Sequence, residues 1–125
     1  MATLTFGRRS ADPAGSRWLE QFRATDAWVV AAWEASAAMP PGTSDLSRRL
    51  RQGALDCGAS LVAAAQCAGD ESESVYVNRA RSQLFEARYV LYLARRFGSI
   101  DTKRYRHLSG RLDHALRELK ARGSP

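Results

Sequence analysis

An apolar residue returns at every third or fourth position along three separate stretches of this chain, and that beat constrains the fold more than any other feature. Leu46, Leu50, Ala54, Cys57, Leu61 and Ala64 form the first series. Val77, Ala80, Leu84, Ala87, Leu91 and Ala94 form the second, and Tyr105, Leu108, Leu112, Ala115 and Leu119 the third. Steps of three and four bring side chains back to one face of a 3.6-residue helix. Each stretch therefore carries a stripe that another helix must cover. No strand pattern competes. With 125 residues the chain suits one domain around one core. The expected fold is all-α, an antiparallel up-down-up-down four-helix bundle.

Punctuation along the chain places the helices. Residues 1–14 read as a polar tail with Gly7 and Pro13, and residues 15–125 as the bundle. Asp12 before Pro13, or Ser16, suits the start of helix one. Pro40-Pro41-Gly42 stops that helix after about Ala38, because proline lacks the amide donor and restricts its predecessor. Leu19, Phe22, Val29 and Trp33 mark its expected core face, and Trp28 projects about 140° from Trp33 at roughly 100° per residue. Trp28 is therefore expected at a subunit contact, or else as a half-buried surface residue. Helix two is expected from Thr43 or Ser44 to about Cys67, with Gly53 and Gly58 marking close helix approach or a bend. Helix three runs from Ser72 or Ser74 to Phe97, with acids at its start, Arg95 and Arg96 at its end and Gly98 as its cap. Helix four has Asp101 as N-cap and runs to about Arg122.

Function classes narrow quickly. No apolar run approaches the ~20 residues needed to span a bilayer. The N-terminus lacks the apolar core and cleavage site of a secretory signal, so the chain reads as cytoplasmic, without a membrane partner. Cys57 and Cys67 lie ten positions apart in one helix, about 15 Å along its axis, beyond the reach of a disulfide. They read as packing residues. His107 and His114 are separated by about 10 Å on helix four, too far for paired zinc ligation. Glu86 is a lone acid in mid-helix, facing a polar gap or an arginine. No catalytic constellation, metal site or cofactor fingerprint is found.

The net charge of +6 is the remaining functional signal. Short connections force antiparallel neighbours. The end of helix one, the start of helix two, the end of helix three and the start of helix four then share one pole. Arg48, Arg49, Arg51, Arg95, Arg96, Lys103, Arg104 and Arg106 all fall there, against Asp45 and Asp101, with Glu34 a turn lower. The opposite pole mixes Asp70, Glu71 and Glu73 with Arg117, Lys120 and Arg122. Concentrated arginine is the electrostatic footprint of phosphate binding. Tyr105 and Phe97 lie close enough to stack on a base.

The stretch Ala80-Arg81-Ser82-Gln83-Leu84-Phe85-Glu86, followed by Leu91, Ala94-Arg95 and Gly98, resembles helix three of the small bacterial four-helix-bundle proteins associated with intervening sequences of 23S ribosomal RNA. Tyr105 sits where that family commonly has a tyrosine. Leu50-Arg51-Gln52-Gly53-Ala54-Leu55 is similar to its helix two, and Leu19, Phe22 and Pro40 fit its helix one. The chain departs from the family after Asp56, where Gly58, Ser60 and Ala63-Ala64 replace its proline, asparagine and Glu-Gly. The resemblance spans about residues 17–120. It implies a left-handed bundle, a ring-shaped homo-oligomer (typically a pentamer) and no enzyme activity. A related branch, the accessory proteins of diversity-generating retroelements, uses a basic barrel to bind a reverse transcriptase and RNA. The expected function is therefore non-enzymatic binding of RNA or a ribonucleoprotein through the basic pole. The rival is a protein–protein adaptor or scaffold whose charge serves solubility.

Overall fold

A computed structural model describes residues 13–120, with side-chain surroundings from residue 17 onward. Four α-helices account for nearly all of it: α1 Pro13–Ala37, α2 Ser44–Gln66, α3 Ser72–Arg96 and α4 Thr102–Glu118, with a 3-10 turn at Pro41–Thr43. Each helix packs on two neighbours, in the cycle α1–α2–α3–α4–α1, most extensively between α2 and α3 and most sparsely between α3 and α4. Adjacent helices run antiparallel. On the α3–α4 seam the contacts Arg81–Leu119, Arg88–Asp113 and Arg95–Tyr105 climb α3 while descending α4. The tail expected over residues 1–14 and the Asp12 cap lie outside the described residues, apart from Pro13 and Ala14 at the start of α1.

The stripes of α2, α3 and α4 meet inside. Leu50, Ala54, Cys57 and Leu61 face Val77, Ala80, Leu84 and Leu91, with Leu108, Leu112 and Leu119 completing the core. Leu46 and Tyr105, at the outer end of their series, are half-buried. Helix α1 joins this core by a different face from the one its leucine and phenylalanine suggest. Its inward line is Trp18, Gln21, Thr25, Trp28, Ala32 and Ala35, again in steps of three and four and continued by Met39 just beyond the helix; Ala24 and Ser36 beside it are buried as well. Leu19, Phe22 and Val29 flank that line, and Trp33 is 45% exposed. Trp28, expected at a subunit contact, is 0% exposed and sits in the core of the single bundle. The physical reason is the heptad register: two polar residues, Gln21 and Thr25, occupy inward positions. Gln21 donates its side-chain amide to the Glu118 carbonyl 3.0 Å away in the last turn of α4.

Local chemistry sets the helix ends. Gly98 has φ +76, the left-handed region that glycine enters without steric cost. This lets Ser99 N–H reach the Ala94 carbonyl at 2.8 Å and Gly98 N–H the Arg95 carbonyl at 3.0 Å, closing the C-terminus of α3. Asp101 caps α4 as expected, its Oδ1 accepting from Arg104 N–H at 2.7 Å. Helix α4 ends at Glu118 rather than near Arg122. Of the two glycines inside α2, a Cβ at Gly58 would make an ordinary contact 3.4 Å from Val29 Cγ2, and around Gly53 there is open space, so neither marks a helix approach that only glycine permits.

Cys57 and Cys67 are both free thiols. Burial pushes the Cys57 thiol up from 9.0 to about 12, and its Sγ lies 3.5 Å from the Ala80 carbonyl. The unfolded thiol releases its proton at lower pH than the folded one. The contribution of this group to stability is therefore full below about pH 9 and declines as pH rises towards 12. The decline is about 1.4 kcal/mol per pH unit within that window. Urea denaturation at pH 8 and pH 10.5 should show a fall in stability that the Cys57→Ala variant lacks. Equal falls in both proteins would exclude Cys57 as its source.

Candidate nucleic-acid interface

The pole is assembled from four helix ends that the hairpins bring together. Ser47, in the first turn of α2, donates its hydroxyl to the Ser36 carbonyl at the end of α1, 3.0 Å away. The Arg95 guanidinium, at the end of α3, lies 5.0 Å from the centre of the Tyr105 ring near the start of α4. Beneath these ends Met39 and Ile100, from the two connections at this pole, are buried against the core. The N-termini of α2 and α4 share this pole with the C-termini of α1 and α3, so the helix dipoles largely offset one another and the charge here comes from side chains.

All eight cations read from the sequence are exposed. Arg48 forms an ion pair with Asp45 at 2.8 Å, three residues back on the same helix. Both side chains are more than two-thirds exposed, so solvent screens the pair and it contributes little. Arg51 places its guanidinium 5.6 Å from the Trp33 ring centre, and Arg96 donates to the Tyr92 hydroxyl at 3.1 Å. Arg49 lines a groove between α2 and α3 together with Asp56, Gln83 and Glu86. Glu86 thus faces the polar gap that its isolated position suggested. Among the described residues, no hydrogen bond or ion pair engages the side chains of Lys103, Arg104 or Arg106.

The two acids at this pole, Asp45 and Asp101, offset only part of the charge of the eight cations. Asp45 is held by Arg48, and Asp101 is occupied in capping α4. At the other pole Glu73 accepts from Gly69 N–H at 3.1 Å and Asp70 from Ser72 N–H at 3.3 Å, so acids there stabilise the turn into α3. Of the two expected stacking rings, Phe97 is 63% exposed, whereas Tyr105 is half-buried under Arg95. Trp33 is a third ring at this pole, exposed beneath Arg51 although the periodic pattern assigns it to the core face.

The positive surface also extends beyond the pole. Helix α3 carries Arg79, Arg81, Arg88, Arg95 and Arg96 against Glu73 and Glu86; α4 carries Lys103, Arg104, Arg106, Arg111 and Arg117 against Asp113 and Glu118. Described α1 carries Arg17 and Arg23 against Glu20, Asp26 and Glu34, a slight acidic excess. One half of the bundle is therefore basic along its length. Three of its arginines, Arg81, Arg88 and Arg95, recur every seventh residue and fasten α3 to α4. Arg81 donates to the Leu119 carbonyl just beyond α4, Arg88 pairs with Asp113 at 2.9 Å, and Arg95 covers Tyr105.

Other chemistry has few ingredients. His107 and His114 are both exposed on α4. Among the described residues, no group of three or more histidines, cysteines or acids could hold a metal ion. No helix of the described residues is long and apolar enough to cross a membrane. Comparison of the chain with family models, with curated proteins and with solved structures finds no match.

Proposed function

We propose that this chain is a non-enzymatic, cytoplasmic helical bundle that binds RNA, alone or within a ribonucleoprotein, through its basic pole. One observation carries the reading: eight exposed cations share the pole with only two acids, one of which pairs with Arg48 and the other of which caps α4. Guanidinium groups present paired donors that match phosphate oxygens. A helix-only frame with short connections holds these groups in fixed relative positions. The resemblance to the 23S-rRNA intervening-sequence proteins points in the same direction and adds self-assembly into a ring, typically a pentamer.

Binding of this kind must weaken steeply with salt, because each neutralised phosphate releases condensed counterions. Fluorescence anisotropy with a labelled RNA should give an affinity that falls by orders of magnitude between roughly 50 and 200 mM salt. Absence of binding at the lowest salt would end the proposal.

A second reading, a protein–protein adaptor, rests on a different surface. Val30 and Trp33 on α1 and Leu55 on α2 are 48%, 45% and 49% exposed. Arg51 lies over Trp33, so Leu55, one turn along α2, falls beside Val30, one turn back along α1. An apolar patch of this sort suits a protein contact, including one between copies of this chain. Light scattering at micromolar concentration decides whether such a contact operates in self-assembly: a monomer removes the ring.

A further inference from the structure

The outer face of α3 carries a feature that the basic pole does not require. Phe85, Tyr89, Tyr92 and Arg96 follow one another at steps of four, three and four, which places them on one side of the helix. That side lies away from the core line of Val77, Leu84 and Leu91. Phe85, Tyr89 and Tyr92 are 51%, 63% and 47% exposed, although aromatic rings of this size gain most from burial. The Tyr89 and Tyr92 rings stack with centroids 6.1 Å apart and planes 19° from parallel. Arg96 steadies the Tyr92 hydroxyl from one end, and the Arg81 guanidinium lies 5.8 Å from the Phe85 ring centre at the other.

We propose that this stripe is a stacking platform for unpaired bases of single-stranded RNA, continuous with the basic pole at Arg96. The proposal rests on the RNA-binding reading above and names the form of RNA that is bound. Exposed rings can stack only on bases free of a partner strand, and such stacking tolerates any base because every base has a π-face. The seven steps from Phe85 to Tyr92 rise about 10 Å, enough for two or three bases. Charge selects the occupant. The stripe runs between arginines on the more basic half of the bundle, which attracts a polyanion. Two copies meeting stripe to stripe would instead set Arg81 and Arg96 of one against the same residues of the other.

The test compares a labelled 12-nucleotide single-stranded RNA with a 12-base-pair RNA duplex, both titrated with the full chain at low salt. Wild-type protein should prefer the single strand. The Phe85→Ala/Tyr89→Ala/Tyr92→Ala variant should lose about tenfold to a hundredfold in single-strand affinity. Its duplex affinity and its salt slope should stay unchanged, because no charge is removed. The Tyr89→Phe/Tyr92→Phe variant keeps the rings and should bind the single strand like wild type. Circular dichroism checks that these surface changes leave the helices intact. Undiminished single-strand binding by the alanine variant would overturn the platform while leaving the basic pole standing. So would equal losses for both RNAs, or a drop in assembly mass by light scattering, which would assign the stripe to self-contact. If wild-type protein binds neither RNA, the RNA reading itself falls.

Discussion

Replacing Trp28 by alanine is expected to destabilise the bundle by about 3–5 kcal/mol. A domain of this size has a total stability of about 5–15 kcal/mol, so the variant loses a large share of it. The cost follows from the geometry: the side chain is 0% exposed among the core residues of the other helices, and its removal leaves a cavity. The indole N–H has no hydrogen-bond partner within the described residues, so packing alone carries the effect. Trp33→Ala removes a ring that is 45% exposed and should cost under about 1 kcal/mol. Urea denaturation followed by circular dichroism separates the two variants, and light scattering reports assembly. A Trp28→Ala protein with a wild-type unfolding midpoint and a smaller mass would return this residue to a subunit interface.

Reversing charge at Arg49, Arg96 and Arg104 together should reduce RNA affinity at least about a hundredfold and lower the magnitude of the salt slope by about two for a single strand. All three side chains are exposed, and the bundle's apolar core does not reach them. The Arg104→Glu/Arg49→Glu/Arg96→Glu protein should therefore keep its helical spectrum and unfold near the wild-type midpoint. Anisotropy titrations at several salt concentrations measure both quantities. Unchanged RNA affinity in a folded triple variant would remove the pole from function.

Three of the four helices were legible because large aliphatic residues fill their inward positions. Leu50 and Leu61, Leu84 and Leu91, and Leu108 and Leu112 all lie where the periodic steps placed them. Helix α1 misled for a physical reason. Its inward line holds Gln21 and Thr25 beside small alanines, so the visible apolar residues Leu19, Phe22 and Val29 drew the register to the flank. The burial of Gln21 depends on a carbonyl at the far end of α4, which no local pattern announces. The end of α4 at Glu118 carries no local sign in the sequence either, since Lys120 and Ala121 that follow are ordinary helix formers. The eight cations could be placed at one pole from topology alone. Their individual engagements could not, since Arg51 on Trp33 and Arg95 on Tyr105 join residues distant in sequence.

Met39 and Ile100 close the end of the core beneath the charged tip. Apart from Arg95 and Arg51, which also contact rings on a neighbouring helix, the side chains that give the molecule cohesion and those that meet its surroundings at this end are distinct, divided by an apolar floor. A chain built on this plan can exchange one ligand for another by altering what stands above the floor, while the rods below keep their registry.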